Sequence, residues 1–293
     1  MAIHSRVYHN GRIRGSSEAL LSPGQLGLLA GWGVFTTLRV KDGALFAWDR
    51  HWSRMCRDAA GIHLEMPSDP DSLYRDLVGL VEANGRENCT MRLVIVRNTG
   101  GMWEAATSGT AIDVIAMTAE SKSWGDSVRL DIQPNGRFAA GEFAGAKLNS
   151  WAQNLTWAER AHRRGFDETV LLNERGTVAE CTSANIFAVC GAEVRTPPLS
   201  DGCLPGITRE ALLGEVSVPG IHVVESSLTP EDLYSADDVF ITSTTRDLLT
   251  VREIAGIDLK MQGDVRSKLC AAFREFVQGD AAARVQQENL RCL

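Results

Sequence analysis

Short runs in which apolar residues alternate with polar ones predict several β-strands in the first half of the chain. Val34 to Val40 and Ala44 to Ala47 flank the turn Lys41-Asp42-Gly43, a combination that is typical of a β-hairpin. Two further β-rich runs begin at Met91 and Ile112. Between them, Asn98-Thr99-Gly100-Gly101 is predicted to form a loop.

Other segments carry apolar residues at helical spacing. The pattern predicts helices over Arg50 to Ala60, from Asp69 to about Ala83 and over Asn149 to Gly165, then one after Pro205-Gly206 and a final one from near Gly263. Hairpins outnumber β-α-β crossovers, and the predicted fold class is therefore α+β.

A chain of 293 residues is longer than the usual single domain, so we expect two domains. The polar stretch Ala119 to Asp126 is the candidate linker. It predicts a small N-terminal α/β domain over residues 1–121 and a larger C-terminal domain over residues 122–293.

Composition narrows the class of protein. The net charge of −7 argues against a general surface for nucleic acid or anionic membranes, and no apolar run approaches the roughly 20 residues that span a bilayer. The start of the chain lacks an apolar signal core. Seven cysteines without a C-x-x-C pair fit reduced thiols better than a disulfide framework or a zinc site. We expect a cytoplasmic protein without nucleic-acid, membrane or metal partners.

Lys147 differs from the other lysines in its surroundings. The chain has five lysines, and only Lys147 follows a small, apolar loop, GEFAGA. A lysine that is desolvated in such a place can act as a neutral nucleophile. A surface lysine would fit the same context.

Glu180 lies in the apolar segment VAECTSANIF. A buried carboxylate needs a partner because an unpaired one is costly. A protonated pyridine nitrogen would serve, and so would a structural salt bridge.

Three other segments could bind phosphate. Leu204 to Arg209 places a glycine and a hydroxyl at a predicted helix start, where free N–H groups favour an anion. Thr242 to Thr245 offers four hydroxyls after a strand, and Arg54 could make a bidentate contact. Each segment would also fit a simple cap, turn or exposed helix face.

Together these segments resemble the class IV aminotransferases, also called fold-type IV pyridoxal-phosphate (PLP) enzymes. The resemblance runs from about Gly31 to Phe273, with GVFTTLRVKDGALF, HWSR, AGAKLN, GFDETVLLNERGTVAECTSANIFAV, LPGITRE and ITSTT in order. It implies that Lys147 carries PLP as a Schiff base and that Glu180 contacts the pyridine nitrogen. It also implies phosphate contacts from Arg54, Gly206, Ile207, Thr208, Ser243 and Thr244.

The resemblance further implies a small N-terminal α/β domain and a larger, barrel-like C-terminal domain that binds PLP in the cleft between them. It implies a homodimer in which a loop of the partner completes each pocket. The expected substrates are small amino and keto compounds.

Within the family the motifs give two alternatives. ITSTTRDLLTVREIAGI and LPGITRE resemble branched-chain aminotransferases, whereas GVFTTLRV and AECTSANIF are closer to aminodeoxychorismate lyase. The lyase usually has an arginine in the loop that here reads Gly100-Gly101-Met102-Trp103. We therefore predict transfer of an amino group from a branched-chain or other hydrophobic amino acid to a 2-oxo acid, with the lyase reaction as the alternative.

Some positions depart from the branched-chain pattern. Tyrosines common in those enzymes are replaced by Ala30 and Thr90, and the tyrosine expected after the lysine is replaced by Trp151. An indole can donate a hydrogen bond but cannot act as a phenol. Arg39 and Arg92 are the candidate readers of a substrate carboxylate.

Overall fold

The computed structural model describes residues 2–18, 21, 25–99 and 110–291, so the loop Gly100 to Trp103 lies outside the described residues. The chain divides into two compact units. The N-terminal unit comprises residues 1–122, 147–151 and 277–293, and the C-terminal unit comprises residues 123–146 and 152–276. The domain boundary between residues 121 and 122 stays a prediction. Lys147 belongs to the N-terminal unit.

The N-terminal unit is built on an antiparallel sheet with the strand order β2-β1-β6-β5-β3-β4. Its strands and helices are β1 Ile3–His9, β2 Arg12–Gly15, α1 Leu26–Ala30, β3 Gly33–Lys41, β4 Ala44–Leu45, α2 Trp48–Gly61, α3 Pro70–Asn84, β5 Cys89–Arg97 and β6 Ile112–Ala119. Alternate residues of β3, among them Val34, Leu38 and Val40, enter a core that also includes Met55 of α2 and Leu77 of α3. The sheet therefore buries one face against these two helices.

Local signals account for several boundaries in this unit. Asp42 and Gly43 have φ angles of 50° and 82°, the left-handed conformations that a tight hairpin turn needs, and the predicted hairpin is confirmed. Asp69 caps α3 by accepting a hydrogen bond from the Ser72 N–H at 2.8 Å. The strand predicted to reach Ala47 ends at Leu45 instead, because Ala47 has φ 53° and precedes helix α2.

The C-terminal unit contains a mixed sheet with the order β12-β11-β10-β13-β14-β7-β8-β9, and β15 pairs with β14. Its elements are β7 Ser127–Gln133, α4 Ala152–Arg163, β8 Glu168–Leu172, β9 Val178–Cys181, β10 Asn185–Cys190, β11 Glu193–Thr196, α5 Ile207–Gly214, β12 His222–Glu225, α6 Pro230–Ser235, β13 Asp238–Ser243, β14 Asp247–Ile254 and β15 Ile257–Asp258. The last helix is α7 Val265–Arg291, whose residues from Val277 belong to the N-terminal unit. The mixture of helices with mainly antiparallel strands confirms the α+β prediction.

One helix prediction was wrong at its start. Helical spacing predicted a helix from Asn149, but α4 begins at Ala152. Leu148 pairs as an isolated bridge with Val34, and the Asn149 N–H donates to the Gly33 carbonyl at 2.9 Å. Pairing with β3 therefore keeps this segment extended.

In the described part of the chain, no helix combines the length and the apolar character needed to cross a bilayer.

Candidate active site

Lys147 is held through its backbone against the start of β3. The Phe35 N–H donates to the Lys147 carbonyl at 3.2 Å, and two residues further on Asn149 donates to Gly33. Addition of a Cβ at Gly33 would place it 2.5 Å from the Ile95 carbonyl oxygen and 2.6 Å from the Asn149 side-chain nitrogen. Glycine at this position therefore permits the close approach that anchors the lysine segment.

A buried carboxylate completes this backbone anchor. Asp58 on α2 accepts the Lys147 backbone N–H on Oδ2 at 3.0 Å, and its side chain is only 1% exposed. Arg57 Nε donates to the other carboxylate oxygen at 2.9 Å. Asp58 was not among the predicted site residues, because its position on a helix gives no sign of a partner so far along the chain.

Two aromatic rings lie near the Lys147 amine. Nζ lies 4.6 Å from the ring centroid of Phe35 and 5.9 Å from that of Trp151. The two rings meet edge to face with centroids 5.7 Å apart. Such rings attract the ammonium form weakly.

The candidate carboxylate readers lie on the face of the N-terminal sheet that carries Phe35. Residues 35, 37 and 39 of β3 share one face, and Thr37 pairs with Arg92 while Arg39 pairs with Thr90. The Arg92 guanidinium lies 4.0 Å from the Phe35 ring centroid. Burial lowers the pKa of Arg92, yet a guanidinium stays charged. The structure thus brings Arg92 and the Lys147 amine to the Phe35 ring, and it places Arg39 further along the same face of β3.

Arg54 lies on the opposite face of β3, in a buried polar chain. Its Nη2 donates to Thr36 Oγ1 at 3.0 Å, and this hydroxyl is 2.6 Å from His51 Nδ1. A guanidinium can only donate, so the hydroxyl accepts from Arg54. Burial is the main reason why the pKa of His51 lies well below its ordinary value, and the positive charges of Arg54 and Lys147 lower it further. His51 is therefore neutral and fixes the orientation of the arginine.

In the C-terminal unit, Glu180 has the predicted position inside an apolar strand. It lies on β9, and its side chain is 8% exposed. Arg137 Nε donates to Oε1 at 2.9 Å, Arg137 Nη2 lies 2.9 Å from the same oxygen in an ion pair, and the Leu204 N–H donates to Oε2 at 3.0 Å. The carboxylate is thus oriented by an ion pair and two hydrogen bonds.

Arg137 is held in turn by two other segments. Its Nη1 donates to Asn154 Oδ1 on α4 at 3.2 Å. Asn154 Nδ2 then donates to the Thr182 carbonyl, just after β9, at 2.6 Å. Arg137 was not among the predicted site residues, since an arginine in a loop resembles many exposed ones and its partner is 43 positions away.

The start of helix α5 has the features predicted for an anion site. No side chain caps Gly206, the residue before the helix, so the first N–H groups are left to other partners. A Cβ at Gly206 would collide with Asn185 Oδ1. The Thr208 hydroxyl is buried and has no hydrogen-bond partner among the described residues. A buried donor without a partner at a helix N-terminus fits a bound phosphate group.

The second predicted phosphate segment is held by a buried ion pair. Strand β13 ends at Ser243, and the turn that follows contains Thr244 and Arg246. Arg246 contacts Glu168 at 3.3 Å and donates to the Ser183 hydroxyl at 2.9 Å and to the Ser183 carbonyl at 3.0 Å. This pair links the turn to the segment that follows Glu180, a link that the sequence analysis did not predict.

Comparisons with known proteins identify the family. The sequence profile of the family described as "Amino-transferase class IV" matches residues 33–254. A putative branched-chain-amino-acid aminotransferase of Methanocaldococcus jannaschii is 30% identical over 276 residues, which cover 92% of this chain and 96% of the relative.

Two solved structures are also similar. A branched-chain aminotransferase from Thermoproteus uzoniensis with norvaline has a TM-score of 0.84 at 28% identity, covering 94% of this chain and 96% of the other. A branched-chain amino acid aminotransferase from Escherichia coli has a TM-score of 0.85 at 25% identity, covering 94% and 95%. These likenesses confirm the fold-type IV prediction and give no support to the lyase alternative. The chain belongs to the class IV aminotransferase family.

Proposed function

We propose that this protein is a PLP-dependent aminotransferase that moves an amino group from a branched-chain or other hydrophobic amino acid to a 2-oxo acid. Membership of the class IV family supports the reaction type and the cofactor. The observation that carries the proposal is the buried Thr208 hydroxyl, which has no described partner and lies at the uncapped start of α5. A phosphate-bearing cofactor would satisfy it.

We assign roles residue by residue. Lys147 attaches the cofactor, and Glu180 accepts a hydrogen bond from its ring nitrogen. The phosphate contacts come from Arg54, Gly206, Ile207, Thr208, Ser243 and Thr244.

Bound PLP supplies an electron sink that stabilises negative charge on the substrate Cα. The Lys147 amine removes and returns the proton at this carbon. Its backbone anchor to Phe35 and Asp58 keeps the stem in place while the amine moves. Such positioning lets the amine reach the proton on the substrate Cα without a random encounter in solution.

Substrate recognition falls to the Phe35 face of the N-terminal sheet. Arg92 and Arg39 offer positive charge for a carboxylate, and a bidentate contact would orient it. The rings of Phe35 and Trp151 near the amine favour an apolar side chain on the donor. This arrangement supports a hydrophobic amino acid as the donor.

We also propose a homodimer in the cytoplasm. Six large apolar side chains among the described residues of the C-terminal unit are strongly exposed, namely Phe138 at 66%, Met261 at 60%, Leu155 at 56%, Phe143 at 50%, Ile257 at 48% and Leu199 at 46%. Where such side chains form a contiguous patch, they mark an interaction surface. Light scattering on the wild type and on Phe138→Glu measures the oligomeric state.

The proposed cytoplasmic location is supported by the cysteines. The six described cysteines are free thiols, which suits a reducing compartment.

The deciding experiment mixes the PLP-loaded protein with L-leucine, L-isoleucine or L-valine in the absence of any 2-oxo acid. We expect the absorption of the lysine-linked cofactor to be replaced by that of pyridoxamine phosphate, and 2-oxoglutarate to restore it. Formation of pyruvate and 4-aminobenzoate from aminodeoxychorismate, with no pyridoxamine form from any amino donor, would establish the lyase reaction instead. Conversion by D-amino acids or simple amines alone would leave a transaminase with a different donor.

A further inference from the structure

Arg246 is buried in the turn that joins β13 to β14. Its side chain is 6% exposed, and the guanidinium carbon lies 3.7 Å from the ring centroid of Trp124. Nη1 donates to the Ser183 carbonyl at 3.0 Å, and Nη2 donates to the Ser183 hydroxyl at 2.9 Å and to Glu168 Oε2 at 3.3 Å. Both terminal nitrogens thus have protein acceptors. Any effect of Arg246 on a ligand therefore passes through the groups that it holds.

The acceptors of Arg246 are oriented by partners of their own. The Glu168 side chain is 4% exposed, and it accepts hydrogen bonds from the hydroxyls of Thr182 and Ser183 and from the Thr169 N–H. Because a guanidinium can only donate, the Ser183 hydroxyl accepts from Arg246 and donates to Glu168. A buried network in which the direction of each hydrogen bond is set favours one arrangement of its members.

The same guanidinium holds the turn. Arg246 Nη1 donates to Ser243 Oγ at 3.4 Å, and the Arg246 backbone N–H donates to the Ser243 carbonyl at 3.1 Å. Strand β13 ends at Ser243, and Thr244 follows it directly. Since Arg246 is the donor to the Ser243 hydroxyl, the proton of that hydroxyl is left for a different acceptor. Arg246 therefore ties the turn to Ser183 and orients a hydroxyl at the start of the turn.

We propose that Arg246 is a positioning residue that fixes the turn after Ser243 in the form that binds the phosphate group of PLP. The inference rests on the proposed function, which assigns phosphate contacts to Ser243 and Thr244. It goes further because it names a buried side chain that makes no contact with the phosphate and still determines the affinity for it.

The physical reason is the entropy of the turn. A segment that is mobile before binding must be ordered when its ligand binds, and this ordering lowers the affinity. In this protein the buried contacts of Arg246 to Ser183 and Glu168 order the turn in advance. If their loss frees about one residue of the turn, PLP binding should weaken by about 5- to 30-fold.

The test compares PLP with pyridoxal, which has the same ring and aldehyde but no phosphate group. The full-length protein without cofactor is titrated with each compound, and the ratio of the two dissociation constants isolates the contribution of the phosphate. In Arg246→Met we expect PLP affinity to fall by about 5- to 30-fold and pyridoxal affinity to change little. Arg246→Lys keeps the charge but lacks the planar fork that reaches several acceptors, so its ratio should lie between the two.

Hydrogen–deuterium exchange of the protein without cofactor gives a second readout. The backbone N–H of position 246 donates to the Ser243 carbonyl within the turn. Local opening of the turn exposes this N–H to water. It should therefore exchange faster in Arg246→Met than in the wild type.

A matched control lies at the other end of β13. Arg266 Nε donates to Asp238 Oδ2 at 3.0 Å, and the Asp238 side chain is 7% exposed. Arg266→Met therefore also leaves a buried carboxylate without its arginine and should lower stability. Because Asp238 begins the strand and the turn follows its last residue, we expect the ratio of affinities and the exchange of the turn to stay at wild-type values.

The outcomes separate this inference from the proposed function. If Arg246→Met keeps the wild-type ratio, or if Arg266→Met lowers PLP affinity as selectively, the inference is wrong and the proposed function stands. A wild type that binds neither compound, or binds both equally well, would contradict the proposed phosphate site and this inference together. Should Arg246→Met not fold because Glu168 is left without its partner, the double variant Arg246→Met with Glu168→Gln removes both charges and replaces it. An unchanged ratio in the double variant also overturns the inference.

Discussion

The two units hold their candidate reactive groups in different ways. In the N-terminal unit, Lys147 is anchored through its main chain to Phe35 and Asp58, and its amine lies near aromatic rings. In the C-terminal unit, Glu180 is held at the carboxylate itself by Arg137 and Leu204. The lysine is therefore anchored through its backbone, whereas the glutamate is anchored through its carboxylate.

This difference matches the two proposed tasks. An amine that attaches a cofactor and then moves protons must change its partners during each cycle. A carboxylate that opposes one ring nitrogen works best in a single place, and charge-assisted hydrogen bonds hold it there. If the comparison is correct, substitutions at the lysine, at the glutamate and at their supports should have separable effects.

The largest effect is expected at Lys147. Lys147→Ala removes the proposed point of attachment, so turnover and the absorption of the lysine-linked cofactor should both be lost. Borohydride reduction of the wild type should fix the cofactor on the peptide that contains Lys147. Lys268→Ala, which removes an exposed lysine paired with Asp264, is the control and should behave like the wild type. A label on another lysine would refute the assignment.

Glu180→Gln should have the next largest effect. The amide retains the shape of the side chain but loses the charge that faces Arg137. A charge-assisted hydrogen bond contributes about 1.5–3 kcal/mol, which corresponds to a fall of about 10- to 100-fold in turnover. Cofactor retention should change little, because the phosphate contacts remain. Steady-state kinetics measure turnover, and equilibrium dialysis measures cofactor retention. Near-normal turnover would show that Glu180 has only a structural role.

Asp58→Ala tests the backbone anchor of the lysine. Loss of this buried acceptor leaves the Lys147 N–H without its partner and should lower the free energy of unfolding by about 1–3 kcal/mol. Turnover should fall by less than in Glu180→Gln, because the Lys147 amine is untouched. Urea denaturation and kinetics measure the two effects. Arg57→Ala is the control with a smaller expected loss, since its side chain is 52% exposed.

The smallest effect is expected for Thr208→Val, which removes a hydroxyl that has no described partner in the protein. The stability of the cofactor-free protein should not fall, whereas PLP affinity should weaken by about 2- to 10-fold, as one lost hydrogen bond of about 0.5–1.5 kcal/mol predicts. Thr196→Val is the control, and we expect the opposite result because the buried Thr196 hydroxyl donates a hydrogen bond to the Ile186 carbonyl at 2.9 Å. It should lower stability and leave PLP affinity unchanged. Equal PLP affinities for Thr208→Val and the wild type would remove Thr208 from the phosphate site.

Much of the local structure could be predicted from neighbouring residues. The hairpin at Asp42-Gly43, the capped start of α3 and the helix after Gly206 depend on backbone preferences and hydrogen bonds within a few positions. The motifs around Lys147 and Glu180 also stand in continuous stretches of sequence. The α+β class, the family and the identity of both candidate reactive groups were therefore accessible from the sequence alone.

The tertiary structure decided how those groups are supported. The segment at Leu148 and Asn149 has helical spacing, yet it is extended because pairing with β3 outweighs local propensity. Asp58 is 89 positions from Lys147 in the chain, and Arg137 is 43 positions from Glu180. Nothing in the residue type distinguishes these side chains from exposed ones. Their roles follow from burial, since a carboxylate or an N–H group withdrawn from water must find its partner wherever the fold supplies one.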